Sequence, residues 1–129
     1  MKRLLMCLCV LLLGCSEFEF EIETPEGLQH WDIVKIEGPT ESRLNQELTL
    51  RVIYPRSSGC DIVSELVSDR NGTAIYVKAF GYTVTDSPCT LAAVPGTINF
   101  TFVPDKRGRY VFKFINRDRS VISHTAKIF

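Results

Sequence analysis

Residues 109–115 read Arg109-Tyr110-Val111-Phe112-Lys113-Phe114-Ile115. Tyr110, Phe112 and Phe114 share one parity, while Arg109 and Lys113 stand on the other. Successive side chains of an extended chain point to opposite faces, so this spacing predicts a strand with one aromatic, buried face and one wet face. Working outward, the same period of two recurs in segments bounded by turn residues. Residues 31–37 end at Gly38-Pro39. Residues 47–54 place Leu48, Leu50, Val52 and Tyr54 on one face and stop at Pro55. Residues 61–69 and 73–85 flank Asn71-Gly72, a two-residue hairpin signal because both residue types tolerate positive φ. Gly81 is expected to bend the second of these strands. Residues 97–103 align Ile98, Phe100 and Phe102, and residues 120–127 lead to a face of Ile122, Ala126 and Ile128. Helical periodicity is nearly absent. Strands with one apolar face each must bury those faces against a second sheet. The expectation is therefore all-β: an antiparallel two-sheet sandwich of about seven strands.

The approach to the first-quoted strand refines this. Pro104-Asp105-Lys106-Arg107-Gly108-Arg109-Tyr110-Val111-Phe112 resembles the entry to strand F of immunoglobulin-like domains, where a turn ends in Gly-x-Tyr. The resemblance implies that Tyr110 is a tyrosine corner, its hydroxyl bonded to nearby backbone. Antibody-type domains carry a cysteine two residues further on, where Phe112 stands here, so any disulfide must bridge elsewhere.

The N-terminus has a different character. Lys2 and Arg3 precede ten apolar residues, 4–13, a run too short to span a bilayer, which needs about 20. It ends in Leu12-Leu13-Gly14-Cys15, which resembles the lipobox of bacterial lipoproteins. The resemblance implies removal of residues 1–14 as a signal peptide and lipidation of Cys15, with residues 15–17 as the anchor joint and residues 18–129 as a single domain. Such a protein sits on a membrane without spanning it; one acyl chain holds only marginally and two or more hold stably. Ser16 lacks the aspartate associated with inner-membrane retention, which points to the outer membrane of the cell envelope. Glu17, Glu19 and Glu21 loosely resemble a surface-export signal. Phe18, Phe20 and Ile22 alternate with glutamates, so residues 18–23 read as an early strand in preference to a disordered tether.

Export gives meaning to the cysteines. With Cys7 and Cys9 in the signal peptide and Cys15 lipidated, Cys60 and Cys89 remain, an even pair in an oxidising compartment. A structural disulfide is expected; a redox or metal pair is the alternative, but no Cys-x-x-Cys spacing supports it. The whole chain holds 15 basic and 15 acidic residues, so losing Lys2 and Arg3 leaves a formal charge of −2. This balance argues against nucleic-acid binding. The charge is uneven, with five glutamates in residues 17–26 and six Lys or Arg against two Asp in residues 105–119.

No constellation points to catalysis, and the sequence predicts a non-enzyme without cofactor or metal. A blue-copper site needs two His, a Cys and usually an axial Met, yet beyond Phe112 there is only His124. His30 lies at the other end of the domain, and neither histidine can be tied to a particular serine. Asp61, Glu65 and Asp69 share one strand parity with about 13 Å between successive members, too wide for one ion, and are expected to form a solvated face. Trp31, Tyr54, Tyr76 and Tyr82 are candidates for a sugar-stacking platform, though aromatics on strands more often pack in cores. The basic run from Lys106 to Arg119 is expected to be an ordinary wet sheet face, with an anionic partner as the alternative. Two functions follow: an interaction module contacting an envelope protein, or a carbohydrate-binding sandwich at the cell surface.

Overall fold

A computed structural model describes residues 22–86, 88–91 and 94–129. The expected signal peptide, Cys15 and residues 18–21 lie outside the described residues. Ile22 and Glu23 belong to no strand, and Ile22 is buried.

The described residues contain nine strands and no helix: β1 (Gln29–Trp31), β2 (Lys35–Glu37), β3 (Glu41–Ser42), β4 (Leu48–Tyr54), β5 (Asp61–Asn71), β6 (Ala74–Thr83), β7 (Gly96–Phe102), β8 (Gly108–Ile115) and β9 (Val121–Ile128). They form a six-stranded sheet, β1-β6-β8-β9-β3 with β5 on β6, and a three-stranded sheet, β2-β4-β7. The two-sheet arrangement matches the sequence expectation, with three corrections. Nine strands stand among the described residues where about seven were expected, because segment 31–37 divides in two and the short β3 was not marked by any alternation. The segment 31–37 is not one strand: Trp31 ends β1 in the larger sheet, and Lys35 begins β2 in the smaller. Asp32, Ile33 and Val34 cross between the sheets, with buried Ile33 in the core. The larger sheet is also mixed, because β6 runs parallel to β8 and β3 parallel to β9. Strand alternation reports which face is buried but not which strand lies alongside, so chain direction between neighbours was not legible.

The two sheets meet through the faces that the period of two marks out. From β8, Tyr110, Phe112 and Phe114 are completely buried; from β4, Leu48, Leu50 and Val52 are too. Phe100 and Phe102 of β7 reach across and meet the β8 rings edge-on. Phe100 and Phe114 centroids lie 5.9 Å apart at 83°, and Phe102 and Phe112 lie 5.5 Å apart at 80°. Such edge-to-face contacts add about 0.5–1.5 kcal/mol per pair to the burial of each ring.

Local chemistry sets the hairpin. Asn71 pairs with Ala74, so the loop residues are Gly72 and Thr73, one position later than the sequence expectation. Gly72 has φ 63°, while Asn71 is not in the left-handed region. Glycine at the first loop position is the requirement of a type II′ turn. Further along the pair, the register shifts between Val63 and Glu65, opposite Gly81 and Phe80. A Cβ on Gly81 would collide with the carbonyl of Ile62 and with Val63. Gly81 is therefore needed for close backbone approach at a bulge.

Candidate functional site

Cys60 and Cys89 form a disulfide, with Cα atoms 5.4 Å apart. It ties the start of β5 to the loop after β6, and Gly59 N–H to Thr90 O and Val84 N–H to Cys60 O reinforce the same junction. Beside it stands Asp61, which corrects the expected solvated acidic face. Asp61 is only 5% exposed. Its carboxylate accepts from the Ser57 hydroxyl (2.6 Å), the Ser57 amide (2.7 Å) and the Thr83 hydroxyl (2.7 Å). These bonds, the Ser57 hydroxyl foremost, hold its carboxyl below the ordinary value against the opposing effect of burial. The bulge in β5 breaks the two-residue period, so Asp61 follows the buried parity of Val63 while Glu65 does not.

The Tyr110 hydroxyl lies on the backbone of Lys106, accepting from its N–H (3.1 Å) and donating to its C=O (3.0 Å). The Arg70 guanidinium comes from the far end of β5, donates to Asp105 (2.6 Å) and sits 5.5 Å from the centroids of both Phe102 and Tyr110. This end of the molecule is a packed joint.

The four candidate aromatics fall in separate places. Tyr54 is buried, its ring occupying the space a Cβ on Gly96 would need. Tyr76 is half-buried on the outer face of β6, with Lys113 Nζ 5.5 Å from its ring centroid. Tyr82 is 39% exposed, six residues along the same strand, or about 20 Å away. Trp31 packs against the core, and its Nε1–H donates to Pro55 O at 2.9 Å. A single four-residue stacking platform is not built.

Two clefts remain. The first, of about 380 Å³, is lined by His30, Trp31, Asp32, Pro55, Arg56 and Arg117 among others. Asp32 accepts from the Arg117 amide (2.9 Å) and guanidinium (3.1 and 3.3 Å). The Arg117 side-chain bonds are the main cause that holds its carboxyl below the ordinary range. His30 Nε2 lies 2.8 Å from Ile115 O, an acceptor, so this nitrogen carries the proton. Ser57 also lines the cleft, but its hydroxyl donates to Asp61 and not to His30, so no nucleophile–base pair is assembled there. His124, on β9, has Nε2 2.9 Å from Pro39 O. Among the described residues, no group of three or more His, Cys, Asp and Glu is arranged to hold a metal ion.

The second cleft, of about 420 Å³, opens on the outer face of the larger sheet between Tyr76 and Lys78 of β6, Lys113 and Ile115 of β8, Val121 of β9, and Arg119. Pairing of Tyr76 with Lys113 and Ile115 with Val121 brings these residues together. Sequence reading found Lys113 and Arg119 within the basic run but missed Lys78, which lies outside it. Only the parallel pairing of β6 with β8 reveals that neighbour. Among the described residues, none of Lys78, Lys113 and Arg119 forms an ion pair with a carboxylate. No helix among the described residues is long and apolar enough to cross a membrane. No protein-family model matches the chain, and neither a curated protein nor a solved structure shows significant similarity to it.

Proposed function

We propose that this chain is a lipid-anchored, non-enzymatic interaction module of the bacterial cell envelope, built on one immunoglobulin-like sandwich and contacting an envelope protein. The observation that carries the reading is Leu12-Leu13-Gly14-Cys15 placed directly behind a basic n-region and a ten-residue apolar run. The Cys60–Cys89 disulfide supports an exported, oxidising location. Tyr110, with its hydroxyl on the Lys106 backbone four residues upstream, supports the immunoglobulin-like assignment. The mixed sheet and Phe112 set the domain apart from antibody-type members. The test is metabolic labelling with an alkyne fatty acid in a bacterial host, followed by crosslinking from the native membrane. Labelling that Cys15→Ser abolishes, together with one defined crosslinked protein, is the expected result. An unlabelled wild-type chain rejects the anchor, and an uncrosslinked monomer under all conditions rejects the module.

A second reading, carbohydrate binding, is favoured by the cleft that Trp31 lines together with the ion-paired Asp32 and Arg117. A glycan array compares wild type with Trp31→Ala. A glycan signal lost on substitution supports this reading, whereas no signal, or one that persists, removes it.

A further inference from the structure

We propose that the outer face of β8, from Arg109 to the turn carrying Arg119, is a binding track for an acidic polysaccharide, with the cleft at Lys78, Lys113 and Arg119 as its principal sugar subsite. Three independent features support the assignment.

The first is charge without a carboxylate ion-pair partner among the described residues. On the outer parity of β8 and β9, Arg109 pairs directly with Lys127, and Lys113 follows four residues along β8. Arg109 to Lys113 spans about 13 Å, and Lys78 and Arg119 lie beyond, around the cleft. Like charges directly opposite each other across strands are destabilising, so the Arg109–Lys127 pair carries a cost, offset in part by the Lys127 ammonium lying 5.1 Å from the Phe129 ring centroid. Glu41, register partner of Lys127, and Asp69, register partner of Tyr76, flank the track. Neither carboxylate ion-pairs with any of the five cations among the described residues.

The second is backbone conformation. Residues 116–120 make the β8–β9 turn, closed by Asn116 N–H to Ser120 O (2.9 Å) and Arg119 N–H to Asn116 O (3.0 Å). Arg119 has φ 71°. A turn of this kind normally places glycine at the left-handed position, because a Cβ there is strained. Arg119, which lines the cleft, is held in that conformation at an energetic cost, a pattern associated with functional positions.

The third is the shape and composition of the floor. Val111 and Ile115 of β8 and Ala74 of β6 lie half-buried between the cations, with exposed Val121 beside them. Cations over a shallow apolar floor suit a sugar ring that presents a carboxylate to the guanidinium and a C–H face to the aliphatic side chains. The track length calls for a chain of such units and not for a single anion. The choice of a glycan over other polyanions rests on the envelope reading above. The measurement below uses purified protein, so its failure and a failure of lipidation are separately visible.

The full chain in a non-ionic detergent is titrated calorimetrically with decameric oligogalacturonate, neutral dextran and poly-glutamate. Oligogalacturonate is expected to bind, and to weaken about tenfold or more as salt is raised from low to high, as counterion release dictates for a multi-site polyanion. Lys113→Gln and Arg119→Gly should each weaken it about fivefold. Arg119→Gly should do so without lowering the melting temperature, which separates lost recognition from lost folding. The proposal is overturned if oligogalacturonate fails to bind, if dextran binds equally, or if both variants bind like wild type. It is also overturned if poly-glutamate binds as tightly, which assigns the face to an acidic protein.

Discussion

Arg70 and Tyr110, 40 residues apart in the chain, meet at the end of the sandwich: the guanidinium donates to the phenol oxygen at 3.3 Å and lies 5.5 Å from its ring centroid. The same guanidinium donates to Gly72 O (2.8 Å) and Asp105 (2.6 Å), joining the β5–β6 hairpin to the β7–β8 loop. Tyr110→Phe removes the hydroxyl that serves both Lys106 backbone groups. It should cost about 1–2 kcal/mol in guanidinium unfolding. Arg70→Ala should cost a similar amount. Because the two side chains share partners, their effects should be non-additive by about 0.5 kcal/mol or more in a double-mutant cycle. Strict additivity would mean that the two act separately.

Asp61 makes stability depend on acid. Its carboxyl is lowered on folding, chiefly by the Ser57 hydroxyl. A group lowered in this way stabilises the native state at pH values above its unfolded pKa, about 4. That contribution is lost as pH falls through the native value below it. Asp32 and Asp105 are lowered too, by Arg117 and Arg70 respectively, so wild type should lose stability steadily below about pH 4. Asp61→Asn should be less stable at pH 7, with a shallower loss between pH 4 and pH 2. Parallel wild-type and variant curves in that window would show that Asp61 is not a source of the dependence.

The disulfide closes a loop with a sequence separation of 29. In the chain-entropy model it contributes about 3–4 kcal/mol. The Cys60→Ala/Cys89→Ala double variant, and wild type under reductant, should show matching losses of that size by chemical denaturation. Alkylation of the native, unreduced protein should find neither thiol of the pair free.

Gly81→Ala should cost about 1–3 kcal/mol, the range for overpacking. Its Cβ meets backbone at Ile62 and Val63, which cannot rotate away as a side chain tip would. Gly72→Ala meets no neighbouring atom but is strained by φ 63°. Both losses should appear in thermal melts, and only Gly81→Ala should disturb amide signals along β5.

Particular residues show what was legible before the structure. The faces of β4, β7, β8 and β9 followed from alternation alone, because burial of one sheet face imposes a period of two directly on the residue order. The pairing of Cys60 with Cys89 followed from counting. Asp61 was misjudged because a bulge inserts one residue and inverts parity, and nothing in the residues 61–69 marks where the insertion falls. Tyr54 shares the parity of Leu48, Leu50 and Val52, and that alternation, more than its aromatic ring, marks its place in the core beside Gly96.

By itself the sequence determined the all-β character and the inward residues of the long strands. These are properties of neighbouring residues and need only local periodicity. The tertiary structure decided which strands lie together: the crossing of Asp32, Ile33 and Val34 between sheets, the parallel pairing of β6 with β8, and so the meeting of Lys78 with Lys113 and Arg119. Register between distant strands is set by mutual packing of whole faces and by the turns between them, and no single segment encodes it.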